Sequence, residues 1–159
     1  MHENRILIHK LKNFENINSN FLIISLMLFG SILLAISAKV QVPFWPVPMT
    51  MQTFVIFLIG MTYSVRLSFA TVAFYLFQGA IGLPVFAAGG GVAYLVGPTA
   101  GYLYGMLFAS IVISYLANLG FSKTYFKATV SLLIGSAIIF SFGIIYLGYI
   151  IGFEKAVAA

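Results

Sequence analysis

Few side chains in this sequence could make or break a bond. The three acids are Glu3, Glu15 and Glu154, the two histidines are His2 and His9, and cysteine is absent. All of them lie outside the long apolar stretches. Paired-carboxylate catalysis, a Ser-His-Asp triad, a zinc site and an intramembrane proton relay therefore lack their parts. No G-x-x-x-x-G-K-[ST] phosphate loop occurs, so ATP hydrolysis has no site. These gaps point away from an enzyme, a bound metal or an organic cofactor. Uphill movement of a solute would have to draw its energy from a partner.

What remains is neutral recognition chemistry. Lys39, Gln41, Phe44 and Trp45 fall in a proline-rich stretch, and Thr50, Gln52 and Thr53 follow it. A partly apolar pocket needs stiff aromatic walls and a few placed hydrogen-bonding groups, and these residues could supply both. Trp45 has a second reading as an indole anchor at the headgroup level. Gly89, Gly90 and Gly91 form either a flexible linker or a lid whose backbone can approach a ligand. Ser31 and Ala35, with Gly30 and Ala38 on nearby turns, flatten one side of a helix. Such a surface either packs inside the molecule or docks another subunit in lipid. Asn118 reads as a helix-end or interhelical hydrogen bonder.

The elements that position these residues follow from composition. Of 159 residues, 62% are hydrophobic and 7% charged, and the mean hydropathy is +1.08. A soluble domain carries roughly a quarter charged residues, so the expected solvent is the lipid bilayer. The pI of about 9.6 reflects loop charges of a membrane protein and not a nucleic-acid surface. Residues 1–20 read as a polar tail, and residues 21–159 as a single transmembrane domain of an all-α, polytopic bundle with five spans. The first span is Phe21 to Ala38, which also resembles a signal peptide. Pro43, Pro46 and Pro48 then forbid a regular helix. Met49 to Tyr63, Leu67 to about Phe86, where Gly82-Leu83-Pro84 should end the helix, Pro98 to Leu119 and Ala128 to Ile151 complete the set. The second is short, which suggests that the loop before it dips inward. Arg5, Lys10, Lys12, Arg66, Lys123 and Lys127 fall on one side, and Lys39 and Lys155 on the other. The amino terminus is therefore expected in the cytoplasm, with loops 39–48 and 83–97 together on the outer face.

Three ordered segments carry a resemblance. They are Ala38-Lys-Val-Gln-Val-Pro43-Phe-Trp-Pro46-Val-Pro48-Met-Thr50-Met-Gln52-Thr53-Phe54, then Gly82-Leu-Pro84-Val-Phe86, then Gly97-Pro98-Thr99-Ala-Gly101-Tyr102. Together they resemble the BioY family, the biotin-specific substrate-capture (S) components of energy-coupling-factor (ECF) transporters. The resemblance implies a six-helix protein of the bacterial inner membrane. It implies biotin capture from outside and delivery inward with a coupling transmembrane protein and two ATP-binding subunits. It makes Trp45, Gln52, Phe86, Gly89, Gly90, Gly91 and Tyr94 the expected substrate-binding residues, and turns Ser31 and Ala35 toward the coupling protein. Family members continue past a stretch like Phe153 to Ala158 into a Pro-Gly-Asp motif, a lysine and a sixth helix, where this sequence stops. That departure leaves a second expectation, a shortened structural or assembly remnant that binds no solute.

Overall fold

The computed structural model describes residues 19–158 and is almost entirely helical. Helix α1 (Ser19–Lys39) leads into a two-stranded antiparallel hairpin, β1 (Gln41–Val42) and β2 (Met49–Thr50), paired Gln41 to Thr50 and Val42 to Met49. Helices α2 (Gln52–Thr62) and α3 (Val65–Ala80) follow, then the short α4 (Val92–Leu95) and the long α5 (Ala100–Asn118). A 3₁₀ turn (Phe121–Lys123) connects α5 to α6 (Tyr125–Ile151), and α7 (Phe153–Ala158) closes the described chain. Residues 1–18, most of the expected polar tail, lie outside the described residues.

Among the described residues three helices, α1, α5 and α6, are both long and apolar enough to cross a membrane. Helix α2 has only 11 residues, about 16 Å of rise. Its shortness follows from the prolines before it, which divert residues 41–50 into the hairpin. The second expected span thus starts three residues later than its apolar run. The helix of the third ends at Ala80, just before Gly82-Leu83-Pro84 as expected, because Gly82 has φ +98° and Pro84 cannot continue a helix; the rest of that apolar run, to Phe86, is loop. Pro98 precedes α5 and does not open it: the Ala100 amide bonds Gly97 O at 3.0 Å, closing a turn around it. The hairpin, α4 and α7 are further elements beyond the expected ones.

Helix α5 is the central post, touching α2, α3 and α6. Its seam with α6 is made of glycine. A side chain on Gly101 would meet Tyr146 Cβ at 2.5 Å and Phe142 O at 2.6 Å, and one on Gly105 would meet Ile139 Cα at 2.9 Å. Backbones in lipid approach this closely only where side chains are missing. Buried serines join the other helices: Ser68 Oγ donates to Ser110 O at 3.2 Å, and Ser114 Oγ to Gly60 O at 3.0 Å. Leu34, Ile56, Ile59, Tyr75, Ile113 and Ile139 fill the centre. Phe29, Ile32 and Ile36 point outward from α1, and Ile145 and Tyr149 from α6. An apolar exterior of this kind belongs in hydrocarbon.

Candidate functional site

The helix ends that meet at the hairpin enclose a cavity of about 340 Å³, within the roughly 300–1,000 Å³ of small-molecule sites. One wall is the hairpin and the start of α2, with Pro48, Met49, Thr50, Gln52 and Thr53. Opposite stand Thr99, Tyr102, Leu103 and Met106 of the α5 side and Ile139, Phe140 and Ile144 of α6. Ala87 and Tyr94 come from the segment between α3 and α5, and Ala156 from α7. Among the described residues the lining carries no charge. It combines flat aromatic surface with hydroxyls and one carboxamide, a set that holds a ligand by shape and neutral hydrogen bonds. No cluster of metal-binding side chains occurs among the described residues.

Gln52 is placed with care. It is 4% exposed, its Nε2 donates to Tyr75 Oη at 2.7 Å, and its Oε1 accepts from Thr50 Oγ1 at 3.1 Å. Tyr75 Oη in turn donates to Val85 O at 2.9 Å. The cavity wall is thereby tied to the loop after α3.

That loop is folded, not slack. Phe86 and Gly89 exchange backbone bonds at 2.9 and 3.3 Å, and the Gly91 amide reaches Gly79 O at 2.7 Å. Gly89 and Gly91 take φ +134° and +104°, a region open to glycine, which is why the run is glycine. The linker reading of Gly89 to Gly91 therefore gives way to a structured cover. Phe86 is fully buried. Its ring occupies the space that a side chain on Gly79 would take, with Cζ only 1.9 Å from that Cβ position. It meets Tyr75 edge-on at 5.5 Å and stacks on Tyr94 at 4.9 Å. Phe86 thus backs the cavity through Tyr94 and does not line it. The two loops expected to lie together do so: Lys39 Nζ donates to Phe86 O at 2.7 Å, and Gln41 Nε2 to Ala87 O at 3.5 Å.

Of the expected binding residues, Gln52 and Tyr94 line the cavity, and Gly90 lines an adjoining open groove that shares Pro48, Tyr94 and Thr99 with it. Trp45 does not: it is 87% exposed and outside the lining. The turn between β1 and β2 directs it away from the cavity. Ser31 is 1% exposed and donates to Gln78 Oε1 of α3, and Ala35 packs against the core. The flat side of α1 is therefore turned into the molecule, because a small residue there lets α1 sit against α3. Asn118 ends α5 exposed to the surroundings. Missed in the sequence were Tyr75 and the α5 and α6 wall, Tyr102 and Phe140 above all. The glycines at 101, 105, 135 and 143 were the available signal, since they mark where two helices close together behind a site.

Comparison with known proteins places this architecture. The BioY family profile matches residues 11–159. A protein of Rickettsia prowazekii (strain Madrid E) named a probable biotin transporter BioY is 36% identical over 141 residues, 88% of this chain and 72% of that protein. The biotin transporter BioY of Thermotoga maritima is 38% identical over 128 residues, covering 79% of this chain and 75% of its own. In three dimensions the chain is similar to the S-component for biotin from an ECF-type ABC transporter, solved at 2.1 Å. The TM-score is 0.76 at 22% identity, with 90% of this chain and 83% of that one covered. That fold and the three long apolar helices describe a multi-pass membrane protein. With the family profile running through nearly all of the sequence and two transporters related to it over most of their length, the chain belongs to the BioY family.

Proposed function

We propose that this protein captures biotin in the cavity beneath the hairpin and the loop 81–99, and hands it inward with an ECF-type coupling protein and its ATP-binding subunits. The observation that carries the reading is the cavity itself, an aromatic, uncharged chamber with a buried carboxamide in a chain of this family. Biotin presents a neutral ureido ring fused to an apolar sulfur ring, which suits such a lining. Residues 21–159 act as one substrate-binding unit. Five helices, α1, α2, α3, α5 and α6, traverse the bilayer, with the cavity end outside and the amino terminus in the cytoplasm. The distribution of Lys and Arg supports that orientation, and the short α2 fits a span whose outer part is replaced by the hairpin. Lacking a nucleotide-binding loop, the chain alone should bind but not accumulate its ligand.

Saturable binding of labelled biotin to the purified protein is the expected result, with uptake against a gradient only when the ATP-driven module is co-expressed. Absence of saturable binding would favour a membrane assembly protein that holds no solute. Orientation is checked with single cysteines in this cysteine-free chain. Ser122→Cys should react with an impermeant thiol reagent only from the cytoplasmic side, and Val42→Cys only from outside.

A further inference from the structure

Tyr75 stands behind the cavity wall and not in it. It is 1% exposed, with its hydroxyl between Gln52 Nε2 at 2.7 Å and Val85 O at 2.9 Å. The chemistry of these partners fixes the direction of both bonds. A backbone carbonyl only accepts, so the single phenolic proton goes to Val85, and the phenol oxygen must then take an N–H from Gln52. This orients the carboxamide. Its nitrogen faces Tyr75, and its oxygen faces Thr50, whose hydroxyl donates to it. A carboxamide has two N–H donors and two lone pairs on oxygen. One of each is used, and one of each is left on a residue that lines the cavity.

We infer that Tyr75 is a positioning residue: it locks Gln52 so that the cavity meets a defined acceptor beside a defined donor. The complement of that pair is a ligand group with an N–H next to a C=O, as in a cyclic urea. The inference rests on the biotin reading above and assigns to Gln52 the recognition of the ureido ring. The same tyrosine braces a second wall, since its ring edge meets Phe86, on which Tyr94 is stacked. A phenol that merely filled space would satisfy neither relation, because it would leave the carboxamide free to turn over.

The test uses two ligands of one shape, biotin and its analogue in which the ureido oxygen is replaced by N–H. Near neutral pH the analogue is a cyclic guanidinium whose N–H groups all donate. A locked Gln52 sets a donor against a donor there, while the cost of the analogue's charge is common to every variant. Calorimetric titration of the wild type should therefore favour biotin by about tenfold or more. Tyr75→Phe frees the carboxamide to turn, so the preference should shrink several-fold, as it should in Gln52→Ala. The double variant should be no less selective than Gln52→Ala alone. Equal weakening of both ligands by Tyr75→Phe, with the preference intact, would make the tyrosine purely structural and overturn the inference. Failure of the wild type to bind either ligand would instead remove the biotin reading, and this inference with it. Should Tyr75→Phe not fold, ¹⁵N-glutamine labelling of the wild type gives an independent answer. The chain has three glutamines, Gln41, Gln52 and Gln78, and Gln52→Ala identifies the relevant signal. One side-chain proton of Gln52 should resist deuterium exchange without ligand, and the signal should move when biotin is added. Rapid exchange with no shift would refute the locked geometry.

Discussion

The seam between α5 and α6 and the cover over the cavity are fastened in opposite ways. Along the seam, glycines bring backbone to backbone, and among the described residues no side-chain hydrogen bond crosses between these two helices. The cover is pinned by single directional bonds, from Lys39 to Phe86, Gln41 to Ala87, Tyr75 to Val85 and Tyr104 to Leu95. The difference follows from the surroundings. Burying apolar surface gains little between helices already in lipid, so close shape must hold them. At the wetter end, loop carbonyls need partners, and long side chains supply them. Contacts of the first kind fail together, whereas those of the second can loosen one at a time.

Breaking the seam should have the largest effect. Gly105→Leu forces a branched side chain against the Ile139 backbone, 2.9 Å from where its Cβ would sit. The penalty should reach the top of the roughly 1–3 kcal/mol seen for overpacking or exceed it. Size-exclusion profiles should show aggregate, with biotin binding lost in parallel; a monodisperse, binding-competent variant would contradict the comparison. Ser31→Leu comes next, since α1 lies on α3 through that serine and Gln78. Folded yield and binding should fall together by roughly 1–3 kcal/mol. If binding and yield stay normal while energised uptake disappears, Ser31 belongs to a partner-docking face after all.

On the cover the expected effects are local. Gly79→Ala displaces the Phe86 ring and should weaken biotin binding by about 1–3 kcal/mol while the protein still elutes as a folded species. Lys39→Met removes one bond to the loop and should lower affinity by about 1 kcal/mol, with the melting temperature unchanged. Trp45→Ala should be the mildest, within about 0.5 kcal/mol for both binding and stability, because that ring is 87% exposed. A tenfold loss of affinity there would mean that the hairpin folds down on the ligand.

The membrane body was legible from hydropathy alone, since runs such as Phe21 to Ala38 and Ala128 to Ile151 are decided by composition. Helix ends were legible where a proline or glycine sets them, as at Gly82-Leu83-Pro84 and Gly120, whereas the path of a loop that borrows apolar residues was not. Phe86 is the instructive error. It was expected against the ligand, yet its ring enters the core from the loop and backs the cavity through Tyr94, and nothing local to position 86 distinguishes the two. Gln52 could be picked out as the rare carboxamide next to a span. Tyr75 could not, because its importance comes from meeting Val85 across a turn. Trp45 was overvalued for the opposite reason: residue type suggested a wall, whereas the turn between two short strands decides where the ring points.

The Phe86 ring in the space above Gly79 has a consequence for descent. Position 86 can keep a phenyl ring only while position 79 has no side chain, and the freedom at each is set by the other. Relatives that gain even a methyl group at 79 should carry a smaller residue at 86, and the passage between the two states runs through a weakened intermediate. In this lineage the pair should change together or not at all, with Gly79→Ala rescued by Phe86→Leu more than by any change elsewhere in the loop.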